Sequence, residues 1–174
     1  MSIRKWSSRP KIFLTETVSH ASENANQFFN TTNNDVQVVA NYLDTVLAQE
    51  EHFQTAIDWN AQEELTLLSE NQWGNSINDP ASILAPSSFE FTDETAKEIN
   101  IITMLDLIIP QTLSANDGLK AMFFISEKGV THYYPNIDLA TIAGDFDARE
   151  RAYFQAIVPE INPEKKFLLV NSLL

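Results

Sequence analysis

The chain has 174 residues, 44% of them apolar and 10% aromatic, which is enough for one ordinary core with a satellite element and too short for several domains. Eleven Lys and Arg stand against 24 Asp and Glu, a formal charge of -13, so most of the surface repels a phosphate backbone and nucleic acid is excluded as a partner. With no Cys there is no disulfide framework, thiol nucleophile or zinc-thiolate site. His20, His52 and His132 lie far apart with no paired spacing, and the four Gly form no phosphate cradle. No cofactor or metal is expected.

The first 18 residues form a basic segment: Arg4, Lys5, Arg9 and Lys11 precede an acidic body in which Lys97 and Lys120 are the only cations between Ile12 and Glu127. Such a start looks like the cytoplasmic edge of an anchored or secreted segment. The apolar stretch that follows is only Ile12, Phe13 and Leu14, whereas a signal core needs about 7–15 residues and a membrane span about 20. The chain is expected to be soluble, with any anchoring segment outside it.

Residues 19–54 contain neither Pro nor Gly, and their apolar positions step as Ala25, Phe29, Thr32, Val36, Val39, Leu43 and Val46. That four-three spacing predicts one long helix with a single apolar stripe, packed on its own domain or on a second copy in a parallel homodimer through residues 25–46. Asn30-Thr31-Thr32-Asn33-Asn34 lowers helix propensity and marks a place for a kink or boundary.

A short helix is expected over roughly 60–69, its adjacent Glu63 and Glu64 being a solvated face and not an acid/base pair. A loop with Pro80 and Pro86 follows over 75–88. Thr92-Asp93-Glu94 opens a second helix with a Thr or Asp cap and acids in its first turn; an apolar run continues to Ile109 and is stopped by Pro110. Ile99, Ile102, Leu105 and Ile109 make one face, and Ile101, Leu107 and Ile108 widen it, so burial on most sides is expected. Interruption by Asp93, Glu94, Lys97, Glu98 and Asp106 keeps this helix out of a bilayer.

Two extended runs, 120–126 and 130–134, are joined by Glu127-Lys128-Gly129 and read as a hairpin with its first strand fully buried. The sheet is expected to begin only after residue 119. The fold class is therefore α+β: a long N-terminal helix and further helices, then an antiparallel sheet.

The densest chemistry lies in Gly144-Asp-Phe-Asp-Ala-Arg-Glu-Arg-Ala-Tyr-Phe-Gln-Ala156. Arg151 can present its planar fork to a carboxylate, Tyr153 and Phe154 can wall a pocket, and Asp145 or Asp147 can receive an ammonium or brace an Arg. Equally, Arg149 and Arg151 can pair with Asp145, Asp147 or Glu150 to hold a loop and start a helix, leaving Tyr153 and Phe154 as core. Acids without a nucleophile or metal cluster do not make a catalytic set, so an enzyme is not expected.

The order of elements, with F-F-I-S-E-K-G-V-T-H-Y-Y-P-N over 123–136 and D-F-D-A-R-E-R-A-Y-F-Q-A-I-V-P-E-I-N-P-E-K-K over 145–166, resembles the Cache sensor domains, the double-Cache kind in particular. These lie outside the membrane in bacterial chemoreceptors, sensor kinases and cyclases. The match covers about residues 121–166. It implies a PAS-like antiparallel sheet over 55–174, a ligand pocket on one sheet face, and a long helix over 19–54 leading to the membrane and the dimer partner. The pocket would fall on Phe146, Arg151, Tyr153 and Phe154, with Tyr134, Asp145, Asp147 and Arg149 beside it, and would take a small polar ligand: an amino acid, carboxylate or amine. Tyr153-Phe154 replaces the family's Trp-Tyr, and Phe146 stands where amino-acid-binding members use Tyr. Two hydroxyls that orient an α-amino acid are thus absent or moved, while a carboxylate site at Arg151 is kept. After Asn162-Pro163 the resemblance implies further strands, so an incomplete, truncated module is expected. The competing reading is a non-catalytic helical interaction protein that retains a Cache-like hairpin.

Overall fold

A computed structural model describes residues 9–55 and 57–163, with side chains from residue 18 onward. Residues 1–8 of the basic N-terminal segment and the expected truncation beyond residue 163 lie outside the described residues. The chain divides into two compact units, Met1–Gln37 and Val38–Leu174, the division falling inside the first helix. As expected the fold is α+β, with a long N-terminal helix, several shorter helices and a five-stranded antiparallel sheet.

Helix α1 (Arg9–Leu47) starts earlier and ends sooner than the periodicity predicts; after a turn at Ala48-Gln49 a separate α2 (Glu50–Gln54) follows. It remains helical through Asn30–Asn34, where a kink or boundary was expected. In the second unit, Val39 and Leu43 enter the main core and Val46 is fully buried. In the first unit the stripe is open: Ala25 is exposed, Phe29 and Val36 are 38% and 41% exposed, and Thr32 is half-buried. Heptad spacing identifies an apolar face but not what covers it, and here its two ends differ.

The expected helix at 60–69 is only one turn, α3 (Ala61–Glu64), whose Gln62 amide donates to the Asn60 side chain. The next residues extend into β1 (Thr66–Leu67), β2 (Trp73–Gly74) and β3 (Ser82–Ala85), so the sheet begins well before residue 119. Two-residue strands show no alternation. β3 is buried along its whole length and sits between Pro80 and Pro86, so it looks like part of a loop in sequence.

Thr92 caps α4 (Asp93–Ile102): its hydroxyl accepts from the Thr95 amide at 3.2 Å, and the Thr95 hydroxyl accepts from the Thr92 amide at 2.7 Å. The helix does not run unbroken to Ile109. It tightens into a 3-10 turn (Thr103–Leu107), and α5 (Ile109–Ser114) begins anew with Pro110 in its first turn. A proline lacks the amide hydrogen that a first turn leaves unpaired anyway, so Pro110 starts a helix here instead of stopping one. Ile99, Ile101, Ile102, Leu105 and Ile109 are buried, but Leu107, expected to widen the face, is 60% exposed.

The hairpin is β4 (Met122–Ile125) and β5 (Thr131–Tyr134), with Gly129 at φ +86° in its turn. β5 pairs with β3 and β4, giving the order β1-β2-β3-β5-β4 and leaving β4 at an edge among the described residues. β4 is therefore not fully buried: Phe123 is 50% exposed. Cross-strand register puts Ile83, His132 and Phe124 on one face, with Met122, Tyr134 and Ala85, against the helical core. The other face carries Ser82, Leu84, Thr131, Tyr133 and Phe123. Over its β2–β3 part lies α6 (Leu139–Ala143), where Ala140 abuts Gly74 and the Leu139 amide donates to the Ser82 hydroxyl.

Candidate functional site

The chain leaves α6 through Gly144, at φ +60°, where a Cβ would collide with the Glu70 carboxylate. Glu70 accepts from the Asp145 amide at 3.0 Å. Asp145 receives the Ser87 amide at 2.9 Å and the Ser87 hydroxyl at 2.7 Å. Asp147 caps a 3-10 turn (Ala148–Glu150) by accepting the Arg149 amide at 3.0 Å, and it accepts the Arg149 guanidinium through Nε at 2.9 Å and Nη2 at 2.6 Å. The same Nη2 donates to the Ser88 hydroxyl at 2.8 Å. Arg149 holds the Asp147 carboxyl below its ordinary range and is itself raised by that carboxylate. Asp145, Asp147 and Arg149, three of the expected ligand residues, thus bind this segment to the 86–88 turn. That is the loop-holding alternative the sequence left open.

Arg151 behaves differently. It is exposed, makes no ion pair among the described residues, and lies 4.6 Å above the centroid of Phe146. It precedes the single turn α7 (Ala152–Gln155), which carries Tyr153 and Phe154, both half-buried. The Tyr153 ring meets Phe123 edge-on at 6.1 Å and 63°. Phe123 stacks on Tyr133 at 6.1 Å and 7°. Burial raises the Tyr153 phenol above its ordinary value, and the nearby Arg151 charge opposes that. The result is a row of Phe146, Arg151, Tyr153, Phe123 and Tyr133, running from α7 onto the outer face of the hairpin.

Of the expected site residues, the structure brings together Phe146, Arg151 and Tyr153. Tyr134 belongs elsewhere, since strand alternation turns it from Tyr133 toward the core. Phe154 has no ring contact with this row among the described residues. The sequence reading missed Ser87, Ser88 and Glu70, which lie 58 to 75 residues from their partners and share no motif with them. It also missed Phe123 and Tyr133 as outward-facing rings, because nothing in the order of residues says that β4 is an edge.

Three other places bear on chemistry. His132 is fully buried with Nε2 2.9 Å from Asp106 Oδ1, while its Nδ1 has no partner among the described residues. This pair ties β5 to the 3-10 turn after α4. One groove is lined by residues 47–52, and another of about 590 Å³ is lined by Trp59, Glu63, Asp93, Lys97 and Asn100 among others; neither includes an expected ligand residue. Among the described residues no cluster of His, Asp or Glu could hold a metal ion, and no helix is long and apolar enough to cross a membrane.

Comparison with family models, with curated proteins and with solved structures finds no match to this chain.

Proposed function

We propose that this chain is a non-catalytic, extracytoplasmic sensing domain of a bacterial signal-transduction protein, of the chemoreceptor, sensor-kinase or cyclase type. It binds a small carboxylate-bearing ligand at Arg151 and signals through α1. One observation carries the reading: of two arginines two residues apart, Arg149 is consumed by Asp147 and Ser88, whereas Arg151 is held over Phe146 with its fork unengaged among the described residues. A guanidinium stacked on a ring is oriented before a ligand arrives, which lowers the ordering cost of a two-pronged carboxylate contact. The resemblance to Cache domains supports a sensing role and a position outside the membrane, and the long helix is the element such a role requires.

Thermal shift and calorimetry against amino acids, carboxylates, amines and purines test the proposal. A ligand is expected whose affinity drops on Arg151→Ala; a bound ligand indifferent to that change defeats the site.

The second reading, a helical interaction protein, is favoured by the open apolar stripe of the first unit, where Phe29 and Val36 are each about two-fifths exposed. It requires that the stripe pair and that no ligand bind.

A further inference from the structure

We infer that the groove of about 590 Å³ lined by the end of α2, the 57–60 segment, α3 and α4 is a second ligand site, and that it takes a neutral, polyhydroxylated ligand of the saccharide class. Its walls are tied together by contacts that leave binding groups over. The Gln62 side chain donates to Asp93 Oδ1 at 2.6 Å, the Asn100 side-chain oxygen accepts the Ala61 amide at 2.7 Å, and Asn60 donates to Glu63 Oε1 at 3.0 Å. The second oxygens of Asp93 and Glu63 and both N–H groups of the Asn100 side chain have no partner among the described residues. Asp58 and Lys97, exposed on the same groove, make no hydrogen bond or ion pair among the described residues.

These unused groups select the ligand. Asp58, Glu63 and Asp93 call for donors, whereas Asn100 and Lys97 call for acceptors. An ammonium brings donors alone and a carboxylate brings acceptors alone, so each leaves one set unanswered and each meets a like charge. A hydroxyl donates and accepts, and a ligand with several on one frame answers both sets while carrying no charge of its own. Trp59 selects the shape. It is half-buried, packs against the main core and also lines the groove, so part of the indole is committed inward and the rest is a flat apolar surface. A pyranose ring covers such a surface with its C–H face and keeps its hydroxyls for the walls, which an open chain does not do. The volume lies within the range of about 300–1,000 Å³ that small-molecule sites occupy.

Calorimetric titration of the whole chain with cellotriose, maltotriose and mannotriose, with spermidine and citrate as competitors, tests the site. At least one trisaccharide is expected to bind, and neither ion to displace it. Asp58→Ala and Lys97→Ala are each expected to weaken that binding about three- to tenfold. Asn100→Asp keeps the oxygen that holds Ala61 and removes the donors; it is expected to weaken binding by about tenfold or more. Should that variant fail to fold, the two exposed positions decide the matter alone. Arg151→Ala is expected to leave trisaccharide affinity unchanged, which separates this site from the carboxylate anchor. No trisaccharide bound at millimolar concentration, a bound one indifferent to both Asp58→Ala and Lys97→Ala, or displacement by spermidine or citrate would each overturn the inference.

Discussion

Arg149 and Arg151 show how identical side chains in one motif divide between building and binding. The Arg149 guanidinium donates three times to Asp147 and once to Ser88, and it also lies against Gly129, where a Cβ would come within 2.8 Å of its Nε. The loop is therefore fixed by charge-assisted hydrogen bonds that fail if the carboxylate is neutralised. Because Arg149 depresses the Asp147 carboxyl, the folded chain keeps it ionised at a pH where the unfolded chain takes up a proton. Its stabilisation is whole above the unfolded value of about 3.9 and is lost as pH falls through the folded one. Asp147→Asn is expected to cost about 1–3 kcal/mol at pH 7 and to reduce the loss of stability on acidification below about pH 4, measured by urea unfolding across that range. An unchanged midpoint at pH 7 would mean that the lock is ornamental. The sequence exposed both arginines as candidates but could not divide them, because Asp147 lies within a few residues of both and the further partner of Arg149, Ser88, lies 61 residues away.

At the scale of elements, what could be read in advance was what local chemistry fixes. The Thr92 cap, the apolar face of α4 and the hairpin around Gly129 follow from capping, periodicity and turn rules. Strands β1 and β2 are too short to have a pattern, and β3 exists because β2 and β5 flank it. Pro110 opens α5 where the sequence predicts a stop, because a proline that ends one helix and one that opens the next look alike in sequence. The widened face of α4 was misjudged for a related reason: once the helix tightens into a 3-10 turn, the 3.6-residue period that placed Leu107 inside no longer holds. Ile99→Ala is therefore expected to destabilise by about 2–5 kcal/mol, as a fully buried aliphatic side chain, while Leu107→Ala stays within about 0.5 kcal/mol of the parent. Equal effects in chemical denaturation would refute the break between α4 and α5.

For the whole molecule, the charge of -13 and the open stripe on α1 set opposing conditions on association. Net charge disfavours self-contact, while an apolar stripe at heptad spacing favours it and survives at moderate salt. Val39, though on the stripe, lies in the core of the second unit, so Val36→Glu is the cleaner probe: it is expected to abolish a sedimenting dimer without lowering stability, whereas a chain monomeric at all concentrations removes the dimer from the account. A ligand docks, however, at Arg151, the guanidinium left unengaged among the described residues. Calorimetric titration of the parent and Arg151→Ala with the same carboxylate tests it most directly. An affinity loss of about ten- to a hundredfold with an unchanged unfolding midpoint is expected; equal affinity in the two proteins would rule Arg151 out as the docking group.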